Sequence, residues 1–162
     1  MAAEYSANAL QTVEPDQDLI FTASNFPCTQ GLIFWREDTG NFLLSNNAPG
    51  TRRCNCGCSG CREIYESVYR VGFNGNIAVS EEGEAEEIQI AIAVAGTAQP
   101  QSIMRITPAA VSEFQSVSAE IFVGIPNICG CQSVSVRNIS DQAIDVQNAN
   151  ITFDYIGIRR VV

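Results

Sequence analysis

The sequence predicts an all-β protein, a jelly-roll sandwich of two antiparallel sheets, and three observations lead there. Short runs of alternating apolar and polar residues recur along the 162 residues, divided by turn residues at intervals of about 8 to 12. Helical periodicity is nearly absent. The third observation is Glu87 to Gly96, EIQIAIAVAG, which sets Ile88, Ile90, Ile92 and Val94 on one face and Gln89, Ala91, Ala93 and Ala95 on the other. Because the second face is also small or apolar, this strand is expected to be covered on both sides. The alanine face then meets either another layer or another copy of the chain.

Residues 1–17 are polar and carry Pro15, so they read as an N-terminal arm ordered by a partner, with the jelly-roll domain occupying 18–162. Leu19 to Thr22 gives the first strand signal. Gly31 to Arg36 and Asn41 to Leu44 flank Asp38-Thr39-Gly40 as a hairpin, with Trp35 as a packing anchor. Between Ser45 and Arg62 periodicity gives way to Gly, Asn, Ser and Cys, a cysteine-rich loop. Ser67 to Phe73 and Ile77 to Val79 read as two strands joined by an Asn74-Gly75-Asn76 turn, and the acidic run from Ser80 to Glu87 as a solvated connection. After the alanine-faced strand come Ser102 to Thr107, a helical turn at 108–113, and a strand in which Val117, Ala119, Ile121 and Val123 alternate with Ser116, Ser118, Glu120 and Phe122. Val134 and Val136 resume the alternation against Ser133, Ser135 and Arg137. Ile144 to Val146 and Ile151 to Tyr155 close the sheets.

Charge narrows the function. The formal net charge of −9 and the scattering of nine arginines argue against a nucleic-acid backbone as partner. No lysine or histidine occurs, which removes imidazole bases, Schiff-base lysines and histidine metal ligands. Carboxylate pairs such as Glu81 with Glu87 can be drawn, but nothing in the sequence fixes their surroundings. The first residues lack a basic, then apolar leader, and no later run approaches the roughly 20 apolar residues that span a bilayer. The expectation is therefore a non-enzymatic protein with no membrane partner.

Seven cysteines are present, four of them as Cys54, Cys56, Cys58 and Cys61. This C-x-C-x-C-x-x-C spacing, with Gly57, Ser59 and Gly60 between the thiols, can close around zinc or an iron–sulfur centre. Disulfides, within the loop or to Cys28, Cys129 or Cys131, are the alternative. Two N-x-S/T sequons, at Asn138 and Asn150, read as turn and strand chemistry.

The order YRVGFNGNIAV, EIQIAIAVAG, SVSVRNISDQAIDVQNANITFDYIG resembles the tumour-necrosis-factor-like and complement-head jelly rolls over about residues 67–157. ALQTV, the cysteine-rich insert, GxNIAV and ITPAAV together are similar to small uncharacterised proteins of gut bacteriophages and their bacterial hosts. The resemblance implies a compact homotrimer with a binding or structural role, the trimer interface falling on Gln89, Ala91, Ala93 and Ala95. With the doubly apolar strand, the polar arm, the acidic charge and the lack of catalytic residue types, the expectation is a virion protein, such as a capsid decoration or head fibre, docked to capsid or other particle proteins through the arm. A spore-surface or cell-surface protein and a glycan- or receptor-binding module are the alternatives.

Overall fold

The computed structural model describes residues 1–46, 65–127 and 130–161. Among these, twelve strands follow one another: β1 (Ala2–Ala7), β2 (Gln11–Val13), β3 (Ala23–Phe26), β4 (Ile33–Arg36), β5 (Asn41–Ser45), β6 (Tyr65–Val79), β7 (Ile88–Val94), β8 (Thr97–Ala98), β9 (Met104–Ile106), β10 (Gln115–Pro126), β11 (Cys131–Asn138) and β12 (Ile144–Arg160). They build two sheets in which every pairing is antiparallel. The first has the order β10-β6-β12-β1-β3 with β2 also on β12; the second has β4-β5-β11-β7-β8 with β9 also on β7. The fold is the jelly-roll sandwich the alternation predicts.

The core lies between the sheets. Phe42 on β5 reaches Tyr5 on β1 and Phe153 on β12, with ring centroids 4.8 and 4.9 Å away. Ile90, Ile92, Val134 and Val136 from the second sheet and Val71, Phe73, Ile121 and Ile151 from the first complete one cluster. Each such side chain contributes roughly 1.5–3 kcal/mol when fully withdrawn from water. Trp35 packs at the margin of this cluster, 5.2 Å from the Tyr5 ring.

Several expectations change. Residues 1–17 are not a free arm: β1 lies between β12 and β3, and Ala3, Tyr5 and Ala7 are buried. Small side chains alternating with Ala2, Glu4 and Ser6 gave that strand a weak period-two signal. Asn74-Gly75-Asn76 is not a turn but the interior of β6, which runs unbroken for 15 residues. The irregularity there belongs to β12, whose register shifts between Gln147 and Asn150, with Asn148 at φ 51°. The two closing strands are thus one bulged strand of 17 residues. Leu19 to Thr22 precedes β3 instead of forming a named strand; Leu19 N–H donates to Val136 O at 2.7 Å, holding this segment on β11. Residues 108–113 form no helical turn, because the Glu113 carboxylate accepts from the N–H groups of Ala109 and Ala110 at 2.9 and 3.2 Å in an irregular loop.

Turn chemistry fixes the hairpins. Val94 pairs with Thr97 across a two-residue loop, Ala95 and Gly96, at φ 50° and 79°, the left-handed pair that matches strand twist. Gly40, at φ 69°, closes β4 onto β5, and a side chain there would run into the Leu19 carbonyl. Two serines complete β7 where strand partners stop. Ser102 Oγ accepts from Ile92 N–H at 2.9 Å, and Ser140 Oγ accepts from Gln89 N–H at 2.7 Å. An unmet backbone group at either place would lose about 1–3 kcal/mol.

Tyr69 ties the sheets together by donating its buried hydroxyl to Ser45 O at 2.5 Å. Burial holds this phenol well above its ordinary value, with Tyr155 and Cys28 adding to the rise. A raised value means that the associated stability is complete below the ordinary phenol pKa of about 10 and is lost as pH climbs toward the folded value. The unfolding free energy measured in urea should therefore fall above about pH 10, with Tyr69 contributing up to about 1.4 kcal/mol per pH unit. Tyr69→Phe should lose about 1 kcal/mol at neutral pH and flatten that alkaline decline. Equal alkaline slopes in parent and variant would contradict the assignment.

Candidate functional site

The alanine face is covered from within. Ala91 and Ala93 are fully buried in a single chain, whereas Gln89 is half-buried and Ala95 is exposed in the β7–β8 turn. Arg137 stands across β11 from Ala91, and its Nη1 donates to Gly96 O at 2.7 Å, so the side chain runs along the alanine row. Asp18 locks it there, accepting from Arg137 Nε at 2.8 Å and Nη2 at 3.2 Å and from Ser135 Oγ at 3.0 Å. The hydrogen bond to Asp18 leads the causes that raise the Arg137 guanidinium above its ordinary value. Ala91 and Ala93 are thus withdrawn from water within a single chain, beside the Asp18–Arg137 pair.

The thiols expected to hold zinc or an iron–sulfur centre, Cys54, Cys56, Cys58 and Cys61, lie outside the described residues, as does Cys129. Of the remaining cysteines, Cys28 and Cys131 are free, and the Cys28 thiol points to Met1 Sδ at 3.1 Å. Among the described residues no cluster of three or more His, Cys, Asp or Glu side chains is placed to hold a metal, and no helix is long and apolar enough to cross a membrane. The sequon asparagines are structural. Asn138 is buried, donating its amide to Val13 O and Gln142 O at 2.9 Å each, and Asn150 donates to Glu4 Oε1 at 2.7 Å.

Two ends of the sandwich differ in character. At one, a cleft of about 640 Å³ is lined by Leu10, Thr12, Glu14, Glu81, Glu82 and Asp145 among others. A neighbouring cleft adds Glu84, Glu86, Glu87 and Asp141, so Glu81 and Glu87 sit in separate depressions. Asp145 is buried and accepts from Thr12 Oγ1 at 2.7 Å. At the other end, along the last residues of β12 and just beyond it, Ile156, Ile158 and Val161 are exposed at 55%, 41% and 45%.

Between these ends lies the outer face of the first sheet. Across the edge strand β10 and its neighbours β6 and β12, Phe122, Arg70 and Asp154 form one cross-strand row, and Glu120, Gly72 and Thr152 the next. Arg70 Nη2 donates to Asp154 Oδ2 at 2.5 Å, and Glu120 Oε2 lies 3.9 Å from Arg70 Nε. Phe122 is 65% exposed, more than any other large apolar side chain among the described residues. The sequence held a signal for it: an aromatic residue in the polar phase of an alternating strand.

The fold and its surfaces define a jelly-roll module of two antiparallel sheets. No family model matches the chain, and no curated protein matches it in sequence. Among solved structures it is similar to the globular domain of zebrafish complement 1qA protein, at 11% identity and a TM-score of 0.57 over 96% of each chain. It is also similar to Eiger TNF from S. frugiperda, at 13% identity and a TM-score of 0.55, over 97% of this chain and 92% of that one. The similarity to these solved structures covers 96% and 97% of the chain, more than the residues 67–157 over which the sequence resembles such jelly rolls.

The two ion pairs should differ in energy because their surroundings differ. The Arg137 and Asp18 side chains are 25% and 13% exposed, against 45% and 32% for Arg70 and Asp154. Arg137→Ala should lower the unfolding free energy by about 2–3 kcal/mol, and Arg70→Ala by less than about 1 kcal/mol. Urea denaturation of both variants checks this; equal losses would show that Arg137 does not hold the alanine face.

Proposed function

We propose that the chain is a non-catalytic structural module that assembles as a homotrimeric head on the surface of a larger particle. A bacteriophage capsid decoration or head fibre is the assignment, with a bacterial spore or cell surface as the alternative setting. The observation that carries the reading is the polarity of the sandwich from end to end. Ile156, Ile158 and Val161 leave one end with exposed apolar side chains of the kind that contacts between chains remove from water. The carboxylates around the two clefts occupy the other end, roughly 40 Å away along β12 from Asp145 to Ile156 and Ile158.

An apolar end that meets other copies and the particle, and an acidic end that faces solvent, would keep neighbouring heads apart by repulsion. Because β1 is part of the first sheet, docking falls to this apolar end instead of to residues 1–17. The complement- and TNF-like fold and the homotrimer implied by the sequence resemblance support a closed assembly of identical chains.

Sedimentation equilibrium of the purified chain tests the assembly. The parent should sediment at three times its 17.5 kDa mass at micromolar concentration. Ile156→Asp combined with Ile158→Asp should shift it to monomer by weakening association more than about tenfold, each buried aliphatic being worth roughly 1.5–3 kcal/mol. A monomeric parent would overturn the reading.

A further inference from the structure

The second sheet ends at β4, which pairs with β5 on one side only. Its inward residues fix the strand in place, for Ile33 is buried and Trp35 packs 5.2 Å from the Tyr5 ring. The alternate residues face solvent, with Phe34 52% exposed and Arg36 exposed beside it. An open strand edge is ordinarily blunted by a central charge, a proline or a bulge. β4 has an aromatic ring at its middle, no proline, and an unbroken register with β5 from Ile33 to Arg36.

The open edge can be assigned group by group. Ser45 N–H donates to Leu32 O at 2.9 Å, so Leu32 and Ser45 are a hydrogen-bonded pair of the hairpin. Such pairs alternate along an antiparallel ladder, which puts Phe34 with Leu43 and Arg36 with Asn41 in the bonded set. The N–H and C=O groups of Ile33 and Trp35 therefore point away from β5, and among the described residues no other segment bonds to them. Groups so arranged are met by an added strand.

This edge is its own complement. When two copies of β4 run antiparallel about a twofold axis at Phe34, Ile33 of each stands opposite Trp35 of the other, and the groups that β5 leaves open satisfy one another. Phe34 then faces Phe34 of the second copy as a non-hydrogen-bonded pair, with Cα atoms about 4.5 Å apart and the two rings in contact. Arg36, which forms no ion pair within the described residues, lies diagonal to that ring and can set its cation over it.

Charge selects the antiparallel direction. The acidic turn Glu37-Asp38 of each copy falls beside the uncharged Gln30-Gly31 of the other, at opposite ends of the pairing. A parallel arrangement would bring both acidic turns together in chains of net charge −9. We propose that β4 is a docking edge for a second copy of this chain, joined antiparallel at Phe34 so that the second sheets of two copies continue as one. A pairing of 4 residues is short and weak by itself. On the trimeric head every chain carries the edge, and avidity would link heads to one another on the particle, although the pairing does not rest on the trimer.

The test traps the register. The full chain carrying Phe34→Cys, oxidised gently at roughly millimolar concentration and digested, should give a disulfide between the introduced thiols of two copies, because about 4.5 Å between Cα atoms suits that bond. Arg36→Cys should give none, its Cα standing roughly 13 Å from that of its symmetry mate. Sedimentation velocity under reducing conditions is the second readout. The Ile156→Asp and Ile158→Asp double variant should form dimers at roughly millimolar concentration, and adding Phe34→Lys should weaken them about tenfold or more without moving the thermal melting curve. Absence of the Phe34→Cys disulfide, equal yields at both positions, or a Phe34→Lys variant that associates as its parent does would each overturn the proposal and leave the edge to a strand of another protein. A trimer that forms without the disulfide would fail this pairing alone, and a disulfide-linked pair from a chain that forms no trimer would fail the trimer alone.

Discussion

The antiparallel pairing of β6 with β12 is the constraint on which the rest depends. It runs from Ile144 opposite Val79 to Arg160 opposite Tyr65, so one pair of strands spans the length of the sandwich. Bulges between Gln147 and Asn150 and between Tyr155 and Gly157 absorb the twist that long paired strands accumulate. Inward, the pair supplies Val71, Phe73, Ile151 and Phe153 to the core. Outward, it supplies the Arg70 and Asp154 positions, and at its two extremities it separates the acidic clefts from the exposed isoleucines.

The second sheet solves a different problem. β7 has side chains to bury on both faces, and a chain of this size has only one core. The solution is local and polar: Arg137 lies along the alanine row, Asp18 holds it from the segment before β3, and Ser102 and Ser140 occupy the backbone positions that strands leave open. A charged pair can serve as a cover because each of its groups is hydrogen-bonded and partly reaches water. The second sheet thus seals the outer side of β7 and leaves its open backbone groups at the β4 edge.

Much of the fold was legible in the sequence because its strands obey period two and its hairpins use residues that tolerate left-handed backbone, such as Gly40 and Gly96. Buriedness of β7 on both faces was legible for the same reason, but not the identity of its cover, because Asp18 and Arg137 are 119 positions apart. β1 was hidden by its composition: Ala3 and Ala7 fill inward positions yet look like neutral linker residues. Asn74-Gly75-Asn76 misled in the opposite direction, since the local preference for a turn was overridden by pairing on both edges of β6. The outer face could be read only in part. Phe122 lies in the polar phase of its strand, whereas its company with Arg70 and Asp154 follows from strand order, which local pattern does not determine.

The integration of β1 into the sheet built on β6 and β12 decides whether the module is one cooperative body or a head with a free arm. Native-state hydrogen exchange followed residue by residue measures this directly. The β1 amides bonded to β12 should open only with the whole sandwich, at the same free energy as the slowest amides of β6. Exchange of residues 2–7 at the rate of an unstructured peptide, with β6 and β12 still protected, would contradict it.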